Sequence, residues 1–201
     1  MDFDETQSFG LDILLEFLEV AIHCILHKRD LYPKGVFRQA KKYGVPVQMC
    51  IHPDVSQYIK DILESIKRLP KNSAEQVCLV IMDKDSSPVE RFVFKLATSS
   101  LVSQGDRFLY DLEQSLRSFL LKLNVCDSLL SHVTAQCSWT VHVTTKQSSA
   151  EKMNMTQLDR GFPWVEAEGS EVNFDEFCVV PIRSLRSHFF DIQLFVQEKS
   201  T

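Results

Sequence analysis

Hydrophobic positions recur along this chain with two different periods, and the switches between them mark its elements. Phe9, Ile13, Phe17, Val20 and Cys24 return every three or four residues, with Leu14, Leu18, Ala21 and Ile25 beside them. That stripe predicts a well-buried helix over residues 9–29. Lys28 and Arg29 in its last turn suit the helix dipole, and Pro33 and Gly35 are expected to stop it. Residues 36–49 read as irregular, with a short strand at 45–49 that Pro46 confines to an edge or a bulge. A second helix is predicted over 54–69, with Pro53 in its first turn, Val55, Tyr58, Ile59, Ile62, Leu63 and Ile66 as its apolar positions, and Pro70 at its end.

The period then drops to that of strands. Residues 77–82 are continuously apolar, as a strand covered on both faces would be. Asp83, Asp85, Ser86, Ser87 and Pro88 supply turn chemistry, and residues 89–96 return in alternation. Phe92, Phe94 and Leu96 point one way, Arg91 and Lys95 the other. Helical spacing resumes with Phe108, Leu112, Leu116, Phe119 and Leu123, capped by Ser103 or Asp106 and running to about residue 125. Arg117 falls off that stripe and is expected to reach solvent or a partner. Three more strands are predicted, over 139–144, 177–182 and 189–197. Trp139, Val141 and Val143 share a face in the first, and Gln193 and Phe195 lie opposite the Phe190–Ile192–Leu194–Val196 face in the last. Helices followed by a run of strands, without βαβ alternation, give an α+β fold with helices on one face of a mainly antiparallel sheet.

Composition narrows the function. The 201 residues are enough for one domain with a substantial core, rich in its 14 phenylalanines. A net charge of −5 and short, scattered basic pairs argue against a phosphate-gripping face, so no direct nucleic-acid partner is expected. The six cysteines contain no C-x-x-C pair, the acidic N-terminus lacks a signal peptide's basic region, and no apolar run reaches membrane-spanning length. These features predict an intracellular, reducing compartment and no membrane partner.

Catalytic chemistry finds little support. Phosphate-loop, dinucleotide, zinc-protease and nucleophile-elbow motifs are absent. Glu19, His23 and His27 share one side of the first helix at metal-ligand spacing, but no distal ligand accompanies them, so a polar stripe or an edge-bonded histidine is the preferred reading. Cys126 with His132 lacks any sign of an oxyanion site, and Asp83 with Asp85 reads as turn chemistry. No cofactor is expected. Binding features are more informative. Phe162-Pro163-Trp164 sits in the polar stretch 145–161 and its acidic continuation 166–171, where such aromatic bulk must pack on the chain's own domain or anchor a partner.

Several strings carry a resemblance: Phe17 to His23, Tyr32-Pro33, Lys41-Lys42-Tyr43, Val45 to Met49, Gln57-Tyr58-Ile59, Pro88-Val89-Glu90, Phe92-Val93-Phe94, Val125-Cys126-Asp127 and Phe162-Pro163-Trp164. Over residues 9–198 the chain resembles the HORMA-domain accessory subunits of translesion DNA polymerase zeta. The resemblance implies a single HORMA domain over 9–198 behind a flexible tail of residues 1–8, with three helices on the sheet and a C-terminal safety belt over 146–198. It implies a non-catalytic adaptor that traps a short proline-containing peptide under the belt, adding it to the sheet edge. The implied partners are the polymerase zeta catalytic subunit, a shieldin subunit and the scaffolding Y-family polymerase, with a HORMA dimer and anaphase-promoting-complex activators beside them. Tyr58 and Trp164 become peptide anchors. Val179, Gln193 and Phe195 become contacts to the scaffolding polymerase. Arg117, with Asp30 nearby, becomes a dimerisation position. Glu166 stands where the family is apolar, and Phe195 where it is usually tyrosine. The implied location is the nucleus, with cytoplasm and spindle also represented.

Overall fold

The structure, a computed structural model, describes residues 3–70, 72–98, 107–132, 136–146, 164–165 and 176–199. Among the described residues three helices, α1 (Phe3–Lys28), α2 (Pro53–Lys67) and α3 (Arg107–Asn124), accompany seven strands. β1 (Phe37–Lys42) and β2 (Val45–Cys50) form a separate two-stranded sheet. The main sheet holds β3 (Ala74–Met82), β4 (Pro88–Thr98), β5 (Ser138–Thr145), β6 (Phe177–Arg186) and β7 (Phe190–Lys199) in the antiparallel order β5-β3-β4-β7-β6.

The helices lie on one face of that sheet, as the alternation of its strands requires. Val77, Leu79 and Ile81 of β3, Phe92 and Phe94 of β4, and Ile192, Leu194 and Val196 of β7 join the buried faces of α1, α2 and α3 in one core. Phe17 of α1 meets Phe119 of α3 edge-on at 5.1 Å. A smaller cluster on the opposite face gathers Cys78, Val80 and Val93 with Met82 and Phe195. β3 is apolar on both sides because both of its faces are covered.

Three expectations need correction. α1 begins at Phe3, so residues 3–8 continue the helix instead of forming a separate tail; no proline or glycine interrupts the chain before Gly10. Its end is set at Asp30, not at Pro33 or Gly35. Asp30 takes φ 52, the Leu31 amide donates to Leu26 O at 3.1 Å, and the Asp30 amide donates to His27 O at 3.4 Å. That double closure is a Schellman motif. Finally, the segment read as irregular contains β1, whose polar sequence Phe-Arg-Gln-Ala-Lys-Lys hid it. β1 pairs with β2 through a tight turn in which Tyr43 (φ 49) and Gly44 (φ 70) both take left-handed values, as a two-residue hairpin demands. Pro46 does sit on an edge, opposite Lys41.

The strands β5 and β6, consecutive among the described strands, lie far apart in the sheet. β5 lies at one edge of the main sheet and β6 at the other, four strand spacings or about 19 Å apart. β5 ends at Thr145, opposite the first residue of β3, whereas β6 begins opposite Lys199, at the end of the sheet where β4 starts. The chain therefore leaves one corner of the sheet and re-enters at the diagonally opposite corner.

Candidate functional site

Among the described residues no strand pairs with β5 on its side away from β3. Its helix-facing side chains are Trp139, Val141 and Val143. Val141 is buried and the other two are half-buried. Tyr58 stands at the margin of the α2 stripe, next to buried Ile59 and three residues after buried Val55, so its ring reaches over the side of the helix. It meets the Trp139 ring at 5.4 Å and an interplanar angle of 67°. The Trp139 indole N–H donates to Tyr32 Oη at 2.9 Å, which fixes the plane of the indole. Tyr32, Tyr58 and Trp139 thus line the inner side of this edge with aromatic surface. Trp164, in the crossing between the two sheet edges, is half-buried and packs on the same core, while Val165 beside it is 86% exposed. The helix-facing side of this edge strand is therefore an aromatic wall.

Residues 11–158 match the HORMA domain. The chain belongs to the HORMA-domain family. It is 44% identical over 191 residues to the mitotic spindle assembly checkpoint protein MAD2B of Danio rerio, with 94% of this chain and 90% of that protein covered. The human MAD2B is 42% identical over 191 residues, with the same coverage of 94% and 90%. The DNA polymerase zeta processivity subunit of Arabidopsis thaliana is 30% identical over 203 residues, covering 98% of this chain and 90% of that one. Among solved structures, a chain in the crystal structure of the mitotic checkpoint complex superimposes with a TM-score of 0.79 at 20% identity, covering 94% of this chain and 98% of that chain. That likeness shows the fold.

Within this HORMA domain the expected contacts distribute unevenly. Val179, Gln193 and Phe195 share the outer face of the β6–β7 hairpin. Val179 pairs with Gln197, Phe195 with Pro181, and Gln193 with Ser184. Val179 is 52% exposed and Gln193 is exposed, whereas Phe195 is half-buried against the outer cluster. Arg117 and Asp30 are not neighbours. Arg117 is exposed on α3 and places its guanidinium over the β1–β2 turn, within 2.7 Å of where a Cβ on Gly44 would stand. Beside that turn Lys42 pairs with Glu16 at 2.8 Å. Glu16 and Asp30 lie about 20 Å apart along α1, and Asp30 pairs instead with Lys34. The exposed side of α3 also carries Tyr110, Leu121 and Val125. Phe162, Pro163 and Glu166 lie outside the described residues.

Four of the residues considered for catalysis, His23, His27, Cys126 and Asp83, sit in structural settings. His23 is 2% exposed, and its Nδ1 accepts the Cys50 amide at 3.2 Å, tying α1 to the β1–β2 hairpin. Burial, with a contribution from Lys60, pushes it down to about 4, which keeps it neutral. The His27 ring packs edge-on against Phe37 at 4.9 Å. Among the described residues no three His, Cys, Asp or Glu side chains gather as a metal site. The Cys126 thiol is buried and pushed up to about 12, by burial first and then by Asp127, the opposite of what a nucleophile needs. Asp83 Oδ1 accepts the amides of Asp85 and Ser87, both at 2.9 Å, as a turn residue does. An apolar cleft of about 620 Å³ lies at the far end of the sheet, among Leu11, Leu14, Ile66, Leu96 and Phe189, away from Trp139.

The sequence pattern puts Trp139 on its strand face but gives no sign of Tyr32, whose hydroxyl accepts the indole N–H from 107 residues away, because no local period connects the two.

Proposed function

We propose that this chain is a non-catalytic adaptor that captures a short, extended, proline-containing segment of a partner protein at the free edge of β5, with the C-terminal segment over 146–198 closing across it. One observation carries the reading. The chain passes from one corner of the sheet to the opposite corner by way of Trp164, and the edge it leaves, which no described strand pairs with, is lined by Tyr58 and Trp139. A closed crossing of this kind holds its guest until it reopens, which makes release slow.

The partners that fit are subunits of the translesion polymerase zeta assembly: its catalytic subunit as the source of the peptide, and the scaffolding Y-family polymerase on the Val179–Gln193–Phe195 face. The names of the plant and fission-yeast relatives, DNA polymerase zeta processivity subunit, support this choice. A shieldin subunit is a second source of peptide, and the working compartment is the nucleus. Arg117 and the exposed apolar side of α3 fit a second HORMA domain. A spindle-checkpoint regulator acting on the anaphase-promoting complex is the alternative, favoured by the name of the MAD2B relatives and by the fold likeness to the checkpoint complex.

The test is binding of a fluorescent proline-containing peptide from the polymerase zeta catalytic subunit, read by anisotropy, with protease protection of residues 146–197 followed in parallel. Slow, tight binding with new protection supports capture, and the double variant Tyr58→Ala/Trp164→Ala abolishes it while the helices stay folded. Normal capture by the double variant removes the anchor assignment. Co-purification of checkpoint components in place of polymerase subunits favours the alternative.

A further inference from the structure

We infer that the last strand is held closed by a proton-dependent latch, formed where Glu198 of β7 docks beside Glu90 of β4 against the single guanidinium of Arg29. The inference rests on the capture reading only in what the latch would regulate; the latch itself stands on its geometry.

Glu90 and Glu198 are direct cross-strand partners. Both belong to the helix-facing side of their strands, at 2% and 8% exposure. Directly opposed side chains on neighbouring antiparallel strands have Cβ atoms only about 5 Å apart, and like charges there repel. Arg29 reaches in from the end of α1. Its Nε–H donates to Glu90 Oε2 at 2.9 Å, while Nη2 donates to the Ser131 carbonyl. The Ser131 amide donates to Glu198 Oε1 at 2.7 Å. Glu90 Oε1 is buried without a hydrogen-bond partner.

The charges do not balance. Arg29 supplies one positive charge against two buried carboxylates. The groups facing them from neighbouring elements do not correct the deficit. Asp127, in the short turn Cys126–Leu129 after α3, adds negative charge with its Oδ1 3.7 Å from Arg29 Nη1, and the Cys126 thiol is neutral. Lys28, partly exposed, is engaged with Asp127 at 3.8 Å. A proton on Glu90 removes the repulsion and turns its partnerless oxygen into a donor. Burial, reinforced by Glu198 and opposed by Arg29, pushes Glu90 up to about 7, so that proton is held or lost across the neutral range.

The latch is also wired to the peptide edge. Trp139, Ile81, Glu90 and Glu198 occupy one row across β5, β3, β4 and β7. Ile81, fully buried, fills the space between the indole and the carboxylates. The segment after α1 bonds both ends of that row, Tyr32 to Trp139 and Arg29 to Glu90. Peeling β7 away exposes Glu90 to water and returns it toward ordinary carboxylate acidity. A carboxylate whose acidity is weakened in the closed state stabilises that state at low pH, and the contribution is lost as pH rises through the closed-state value. Closure therefore takes up a proton, and β7 loosens as pH rises from 6 to 8.

The test is amide hydrogen exchange of β7 in the full chain without peptide at pH 6 and pH 8, corrected for the intrinsic pH dependence of exchange. The opening equilibrium should rise about ten-fold between the two, as one proton lost through pH 7 requires. Glu90→Gln, which keeps the shape and cannot ionise, should abolish the rise; if that variant fails to fold, Glu90→Met serves instead. An unchanged opening equilibrium in the native chain overturns the latch, and so does a ten-fold rise that persists in either variant. With peptide bound, its dissociation should quicken over the same range. Failure of the peptide to bind at all, with the exchange result intact, sinks the capture reading and leaves the latch.

Discussion

Tyr58 and Trp139 meet edge-on at 5.4 Å, one from a helix and the other from an edge of the sheet. The contact joins α2 to the edge strand β5 through aromatic surface. The indole's position in turn depends on the Tyr32 hydroxyl, so three elements far apart in sequence set one surface.

Tyr32→Phe should cost about 1 kcal/mol of stability, the net value of one hydrogen bond. Trp139→Phe should cost more, since it also loses ring area. If the bond acts as one unit, the double variant adds little to Trp139→Phe alone. Urea unfolding of the single and double variants measures that coupling; full additivity would show that the bond is not formed in solution.

Arg29→Ala should be among the most damaging single changes, at about 3–5 kcal/mol, because it strands a buried carboxylate. Part of the loss should be recovered by adding Glu90→Gln, which removes the stranded charge. Chemical denaturation at neutral pH compares the two, and equal loss in both would exclude this account.

His23 predicts an opposite pH response to that of the latch. Its imidazole is buried neutral and pushed down to about 4, so the unfolded chain binds the proton first as pH falls. Its contribution is fully present above pH 6.5, the ordinary value, and is lost as pH falls from there toward 4. Global unfolding also exposes Glu90, which works the other way, so the drop is read in a Glu90→Gln background, where the melting temperature should fall between pH 7 and pH 5. Adding His23→Gln, which retains an acceptor for the Cys50 amide, should flatten that drop.

Gly44→Ala should destabilise the β1–β2 hairpin by about 1 kcal/mol or more, since a side chain at φ 70 is strained. A second component comes from Arg117, whose guanidinium would stand 2.7 Å from the new Cβ. Arg117→Ala in the same chain should relieve that component and leave the backbone strain. Thermal melts of the three variants divide the two effects, and no recovery in the double variant would place Arg117 elsewhere in solution.

The sequence alone determined the three helices, the central β3–β4 hairpin and the inward faces of β4, β5 and β7, because those features follow from periodicities of 3.6 and 2 that local geometry imposes. It also carries one discordant signal: Glu90 falls on the same strand face as Phe92 and Phe94, a charge where the alternation requires an apolar side chain. Nothing local said what would answer that charge. Arg29 is 61 residues away, and Glu198, its cross-strand neighbour, enters only when the last strand adds to β4. The same holds for Trp139 and Tyr32, for the separation of Arg117 from Asp30, and for β1, whose polar residues pair only because the Tyr43–Gly44 turn folds them onto β2. Periodicity reports which face of an element is buried. Which elements share an edge, and which charges meet there, was decided by strand order and register, which arise from contacts distant in sequence.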